Sequence, residues 1–284
     1  MSAFKDGRTR VEAHGSTWWL KADEAVDKAI RTWCGWDFDG TRIVQRVLRS
    51  GECAMDIGAN IGWYTVLMSK IVAPAGRVYA FEPMEEAADI LQEHVRLNNC
   101  NNVVVLPYAL DAIEKQATEI VGYSYTAPRT SDHEACIVVR KPLDTVVSEL
   151  DTPHVSLIKI DTDGCELRVF RGAEQLLRRD KPMLYFELGD GTLYAHRTDV
   201  EKPYVYGDSV RECLAFLTSL GYRLFYNTTW PEPRNEALPI PIDDFVLRPV
   251  ISMDALLNYY PGERALYAQT TDLFACIGKA PWEA

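Results

Sequence analysis

The stretch Cys53-Ala-Met-Asp56-Ile-Gly58-Ala-Asn60-Ile-Gly62 decides how the rest of the chain is read. Cys53 to Ile57 is an apolar run that breaks into a glycine turn, and Trp63 to Ile71 follows with helical character. That is a strand, a tight turn and a helix, the unit from which parallel sheets are built. Working outward, Arg77-Val-Tyr-Ala-Phe-Glu82 is a second strand between Gly76 and Pro83. Residues 85–97 carry Ala87, Ile90, Leu91 and Val95 at helical spacing and end at Asn98-Asn99. Val103 to Leu106 is a third strand, Val155 to Ile160 a fourth and Met183 to Glu187 a fifth. Glu166 to Arg178 and Ser209 to Leu220 read as helices.

The predicted fold is α/β, a doubly wound, mostly parallel sheet of seven strands. Tyr222 to Tyr226 and Phe245 to Leu247 have no helical pattern between them and are expected to close it as an antiparallel pair. Thr118 to Tyr125 and Cys136 to Arg140 read as an inserted β-hairpin. Residues 8–20 read as a hairpin around His14-Gly15, followed by helices from about Asp23 to Trp33 and from Gly40 to Leu48. The expected division is an N-terminal hairpin and helical cap over 1–50, the main domain over 51–250, and a tail over 251–284 packing on it.

Lysine and arginine total 30 against 41 aspartate and glutamate, a formal charge of -11. An acidic chain without a basic run argues against a nucleic-acid partner. No apolar run approaches a membrane span and the first residues lack an apolar signal core, so a cytoplasmic protein acting on a small molecule is expected. The seven cysteines are scattered without a CxxC pair, which signals neither zinc nor a disulfide framework. The oligomeric state stays open, a homodimer included.

In open α/β sheets, ligands bind at the carboxyl ends of strands near the switch point. A dinucleotide fingerprint needs G-x-G-x-x-G/A. Counting from Gly58, the next two positions hold Asn60 and Trp63, and a tryptophan there is expected to block a pyrophosphate. The pattern is acid-x-Gly-x-x-x-Gly, which suits a ligand without phosphate. S-adenosylmethionine carries a cationic amine and a sulfonium, and Asp56 offers a negative charge where the strand opens. Glu82, ending the second strand before Pro83, could accept both hydroxyls of a ribose. Tyr108-Ala109-Leu110, at the end of the third strand, could line an adenine slot.

Three runs resemble the FkbM-type methyltransferases: Ala54 to Gly62, Gly76 to Pro83, and Leu157-Ile-Lys159-Ile-Asp161-Thr-Asp163-Gly164-Cys-Glu166, with Arg171-Gly172-Ala173 beyond. The resemblance covers roughly residues 45 to 190. It implies S-adenosylmethionine as cofactor, methylation of an oxygen, and cofactor contacts from Asp56, Gly58, Ala59, Asn60, Gly62 and Glu82. Two positions depart from the family: Asp163 where glutamate is usual and Cys165 where alanine is.

Methyl transfer from a sulfonium leaves two tasks, positioning and removal of the acceptor's proton. Asp161 and Glu187, at the ends of the fourth and fifth strands, are the first candidates, Asp161 also for the methionine amine. His133 and His196, in loops, are the alternative bases. Asp163 and Glu166 read as a capping box at N-cap and N3. An open alternative groups Asp161, Asp163 and Glu187 around magnesium or calcium, although no spacing is diagnostic and no metal ligand is assigned. Aromatics in 189–207, Trp230 and Tyr259-Tyr260 are candidate pocket or core residues. The competing functions are N- or carboxyl-methylation, a dinucleotide-dependent oxidoreductase, and a non-catalytic binding protein.

Overall fold

A computed structural model describes residues 4–5, 7–22, 24–121, 135–162, 165–189, 210–227, 247–249 and 270–279. In chain order the elements are β1 (Phe4–Lys5), β2 (Arg8–Ala13), β3 (Ser16–Leu20), α1 (Ala25–Trp33), α2 (Phe38–Val47), β4 (Cys53–Ile57), α3 (Trp63–Val72), β5 (Arg77–Phe81), α4 (Glu85–Leu97), β6 (Val103–Leu106), β7 (Tyr108–Leu110), β8 (Lys115–Val121), β9 (Ala135–Lys141), α5 (Leu143–Leu150), β10 (Val155–Ile160), α6 (Glu166–Gly172), α7 (Glu174–Asp180), β11 (Met183–Gly189), α8 (Val210–Ser219), β12 (Arg223–Asn227), β13 (Leu247–Pro249) and β14 (Thr270–Cys276).

The main sheet runs β13-β12-β14-β11-β10-β4-β5-β6. β11, β10, β4, β5 and β6 are parallel, and β14 is antiparallel to both of its neighbours. Side chains alternate across β4: Met55 and Ile57 enter the core under α5 to α8, whereas Ala54 enters the core under α2 and α3. Helices thus cover both faces, as the strand–helix alternation predicted. The chain winds outward from β4 through β5 to β6, then crosses back to β10 on β4's other side. The order reverses between β4 and β10, which opens a crevice at their carboxyl ends.

Three expectations need correction. Thr270–Cys276 falls in the expected tail yet is β14, lying between β11 and β12. Leu273, Phe274, Ala275 and Cys276 are all buried, so the strand has no polar alternation to betray it. With β13 pairing β12 at the edge, the sheet has eight strands, one beyond the seven expected. The helix expected over 166–178 is two helices. A Cβ on Gly172 would lie 2.1 Å from the Asp111 carbonyl oxygen, and the chain turns here. Asp144 then starts α7 afresh, its carboxylate accepting from Gln175 N and Leu176 N, both at 2.9 Å. The inserted hairpin is also larger than expected, because β7 pairs with β9 in a separate sheet, β7-β9-β8.

Candidate functional site

Between β4 and α3 the backbone turns through Gly58 (φ 73°), Asn60 (φ 48°) and Gly62 (φ 93°). Gly58 N and Ala59 N both donate to the Phe81 carbonyl at 3.0 Å, and Asp161 N donates to Ile57 O at 3.0 Å. The turn is therefore laced to the ends of β5 and β10. A Cβ on Gly58 would lie 1.8 Å from the Asp161 carbonyl oxygen, so glycine is required by a neighbouring backbone rather than by a ligand.

Glu82 directly follows β5, with 6% exposure. Its Oε2 accepts from Asn60 N at 2.8 Å and its Oε1 from Met84 N at 2.9 Å. Burial raises its pKa to about 7, against the pull of those two hydrogen bonds and of Lys159, while Asp56 adds to the rise. A carboxylate oxygen accepts about two hydrogen bonds, so each retains capacity for another donor. A ribose diol supplies two donors at that spacing, and the residues present fit it.

Asp56 is completely buried. Thr65 Oγ1 donates to its Oδ2 at 2.5 Å, and Lys159 Nζ lies 4.0 Å from its Oδ1. Burial raises its pKa, opposed by Lys159 and Thr65. The same ammonium lies 3.2 Å from Asp161 Oδ2 and 5.0 Å above the Tyr64 ring. Burial pulls Lys159 toward its neutral form, but Asp161, Asp56 and Glu187 outweigh it and hold it charged. Asp161 is the exposed member, with 35% of its side chain open. Burial would raise its pKa, yet Lys159 and a hydrogen bond with Glu187 drive it below the usual value. Glu187 on β11 is thus hydrogen-bonded to an Asp161 that Lys159 holds ionised.

A methyltransferase FkbM domain matches residues 56–224, more than half of the chain. The chain belongs to the FkbM methyltransferase family. Over 59 residues it is 34% identical to a protein-L-isoaspartate O-methyltransferase of Ignicoccus hospitalis, a match that spans 21% of this chain and 28% of that relative's length. Among solved structures it is similar to a SAM-dependent methyltransferase from Aquifex aeolicus, with 17% identity, TM-score 0.41 and coverage of 85% and 90% of the two chains. It is also similar to the FkbM methyltransferase of Methylobacillus flagellatus, with 16% identity, TM-score 0.42 and coverage of 65% and 46%.

Within this FkbM methyltransferase, Asp56, Asp161, Glu187 and Glu82 converge on the crevice between β4 and β10. Pro83 follows Glu82 and is half-buried, and Ala109 lies in β7 opposite Arg140. His133, His196, Asp163 and the aromatics of 190–209, Trp230 and Tyr259-Tyr260 lie outside the described residues. Glu166 is the first residue of α6 rather than N3, and its carboxylate accepts from Thr162 N and Oγ1 at 3.1 and 3.0 Å. It fastens the loop after β10 from below. The open metal alternative finds no support: among the described residues no group of three His, Cys, Asp or Glu could hold an ion, and the cation beside Asp161 is Lys159. Trp63 does not face the turn. It stacks on Trp18 at 5.3 Å and donates to Thr41 Oγ1 at 2.9 Å, so its bulk has no bearing on a pyrophosphate.

Sequence reasoning passed over Lys159 and Tyr64. The signal for Lys159 was present: lysine inside the apolar run Leu157-Ile-Lys159-Ile160 is almost never buried without a partner.

Proposed function

We propose that the protein transfers the methyl group of S-adenosylmethionine to a hydroxyl oxygen of a small molecule, a natural product or a sugar. The observation that carries this reading is Asp161 beside the crevice, a carboxylate held ionised by Lys159 at 3.2 Å and hydrogen-bonded with Glu187. S-adenosylmethionine, when bound, supplies a methyl already activated on a sulfonium. Glu82 would accept the ribose hydroxyls, beside the turn of Gly58, Ala59, Asn60 and Gly62, with Pro83 and Ala109 toward the adenine. Asp56 acts from beneath, holding Thr65 of α3 and Lys159. Asp161 would bind the methionine amine or receive the acceptor's proton, and Glu187 would hydrogen-bond the acceptor oxygen. A hydroxyl acceptor needs such a base and an amine or carboxylate needs it less, which favours the hydroxyl. His133 and His196 are the alternative bases.

The acidic chain suits a small acceptor better than nucleic acid. No helix among the described residues is long and apolar enough to cross a membrane. A carboxylate oxygen is the second reading, favoured by the similarity to the isoaspartate O-methyltransferase. A labelled-methyl assay on a panel of hydroxylated, amino and carboxylate compounds tests the proposal. Transfer to hydroxyls should dominate and fall by about 100-fold or more in Asp161→Asn. Faster transfer to amines or carboxylates would overturn it.

A further inference from the structure

We infer that Lys159 is a positioning residue of the transfer site: wedged behind Asp161, it keeps that carboxylate ionised and turned toward the crevice. The inference rests on the reading of Asp161 given above and names what sets its charge.

A buried ammonium costs several kcal/mol unless it is paired. Asp56, directly across the β4–β10 ladder, would suffice for a purely structural pair. The ammonium instead makes its short contact, 3.2 Å, with the outer carboxylate Asp161, and stands 4.0 Å from the inner one. Only Asp161 of the three reaches solvent appreciably. The charge is thus presented from behind to the one of its two close carboxylates that can meet a ligand.

Other groups bear on the ammonium from every side. Asp56 faces it from β4, Glu82 from β5, Glu187 from β11, and the Tyr64 ring from α3. The aromatic face attracts the cation and closes its retreat. That ring is itself fixed, because Tyr64 and Tyr185 both donate their hydroxyls to Asp37 Oδ2, the latter at 2.8 Å. Asp37 is the N-cap of α2, so the N-terminal cap holds the floor beneath Lys159. With the ammonium removed, Asp161 and Glu187 would be like groups in contact, and protonation of Asp161 would become easier.

The test is S-adenosylhomocysteine affinity by calorimetry on the full chain, from pH 5.5 to 8.5. Lys159→Met should bind at least tenfold more weakly than wild type at pH 5.5, and the gap should close as pH rises. Lys159→Arg, which keeps the charge, should retain the wild-type pH profile. In an Asp161→Asn background, Lys159→Met should lose most of that gap, keeping only the smaller part that Lys159 exerts through Glu82. A gap equal at all pH values, or one that persists undiminished in that background, would overturn the inference. Asp161→Asn binding like wild type would instead overturn the amine-binding role of Asp161 on which it rests. If Lys159→Met does not fold, Lys159→Gln is subject to the same comparison.

Discussion

Glu82 should make cofactor affinity depend on pH, and the size follows from its surroundings. Its carboxyl titrates at about 7 in the ligand-free protein because burial opposes the charge. A ribose diol offers two donors and therefore favours the ionised form, so affinity should rise with pH up to about 7 and then level. Between pH 7.5 and 5.5 the ionised fraction falls from about three quarters to about 3%, which corresponds to about 25-fold in affinity, or about 2 kcal/mol. Calorimetric titration with S-adenosylhomocysteine in both buffers measures it, and Glu82→Gln isolates the part due to this residue. That variant should bind more weakly at pH 7.5 and lose the slope. Stability should move oppositely. An acid whose folded pKa is raised from 4.5 to about 7 lends stability that is present below 4.5 and lost as pH rises through 7. At pH 7.5 the ligand-free Glu82→Gln protein should thus melt higher, gaining up to about 3 kcal/mol less about 1 for a lost hydrogen bond. A variant that kept the wild-type affinity slope would refute the assignment of this carboxylate to the ribose.

Other consequences are as sharp. Gly58→Ala should abolish S-adenosylhomocysteine binding or lower the melting temperature, since its Cβ meets the Asp161 carbonyl at 1.8 Å; a variant indistinguishable from wild type in both would contradict the packing described. His94 ties the glycine turn to the N-terminal hairpin, its Nδ1 bonded to Ile61 O at 2.7 Å and its Nε2 accepting from Trp19 N at 3.0 Å. Burial lowers its pKa below 6.5, so its stability is present above 6.5 and lost as pH falls toward the lowered value. Thermal melts should show His94→Gln, which keeps one donor and one acceptor, close to wild type at pH 7.5 and less acid-sensitive, with His94→Leu several degrees lower. Asp144→Ala removes both acceptors at the start of α7 and should cost about 1–2 kcal/mol in urea unfolding.

The parallel half of the fold was legible because its signals were local. Cys53 to Ile57, Arg77 to Phe81 and Val155 to Ile160 are short apolar runs bounded by turns, and the helices between them carry periodic faces. β14 was not legible, because Leu273 to Cys276 is uniformly apolar and its neighbours lie far away in sequence. The break at Ala173 was hidden for a related reason, since the backbone packed against Gly172 and the carboxylate that starts α7 belong to Asp111 and Asp144, far away in sequence. In the site, the identity of the acids could be read from strand ends, but not their depth. Asp56 and Asp161 look alike in sequence, and only the fold makes one a buried support and the other a half-buried carboxylate open to the crevice. Trp63 misled because helix position alone does not say which way a side chain points.

The most direct measurement is a crystal structure with S-adenosylhomocysteine. Both ribose hydroxyls should lie within about 3.2 Å of the Glu82 carboxylate, with the amino group toward Asp161. A ligand lodged elsewhere, with Glu82 facing no hydroxyl, would contradict the account.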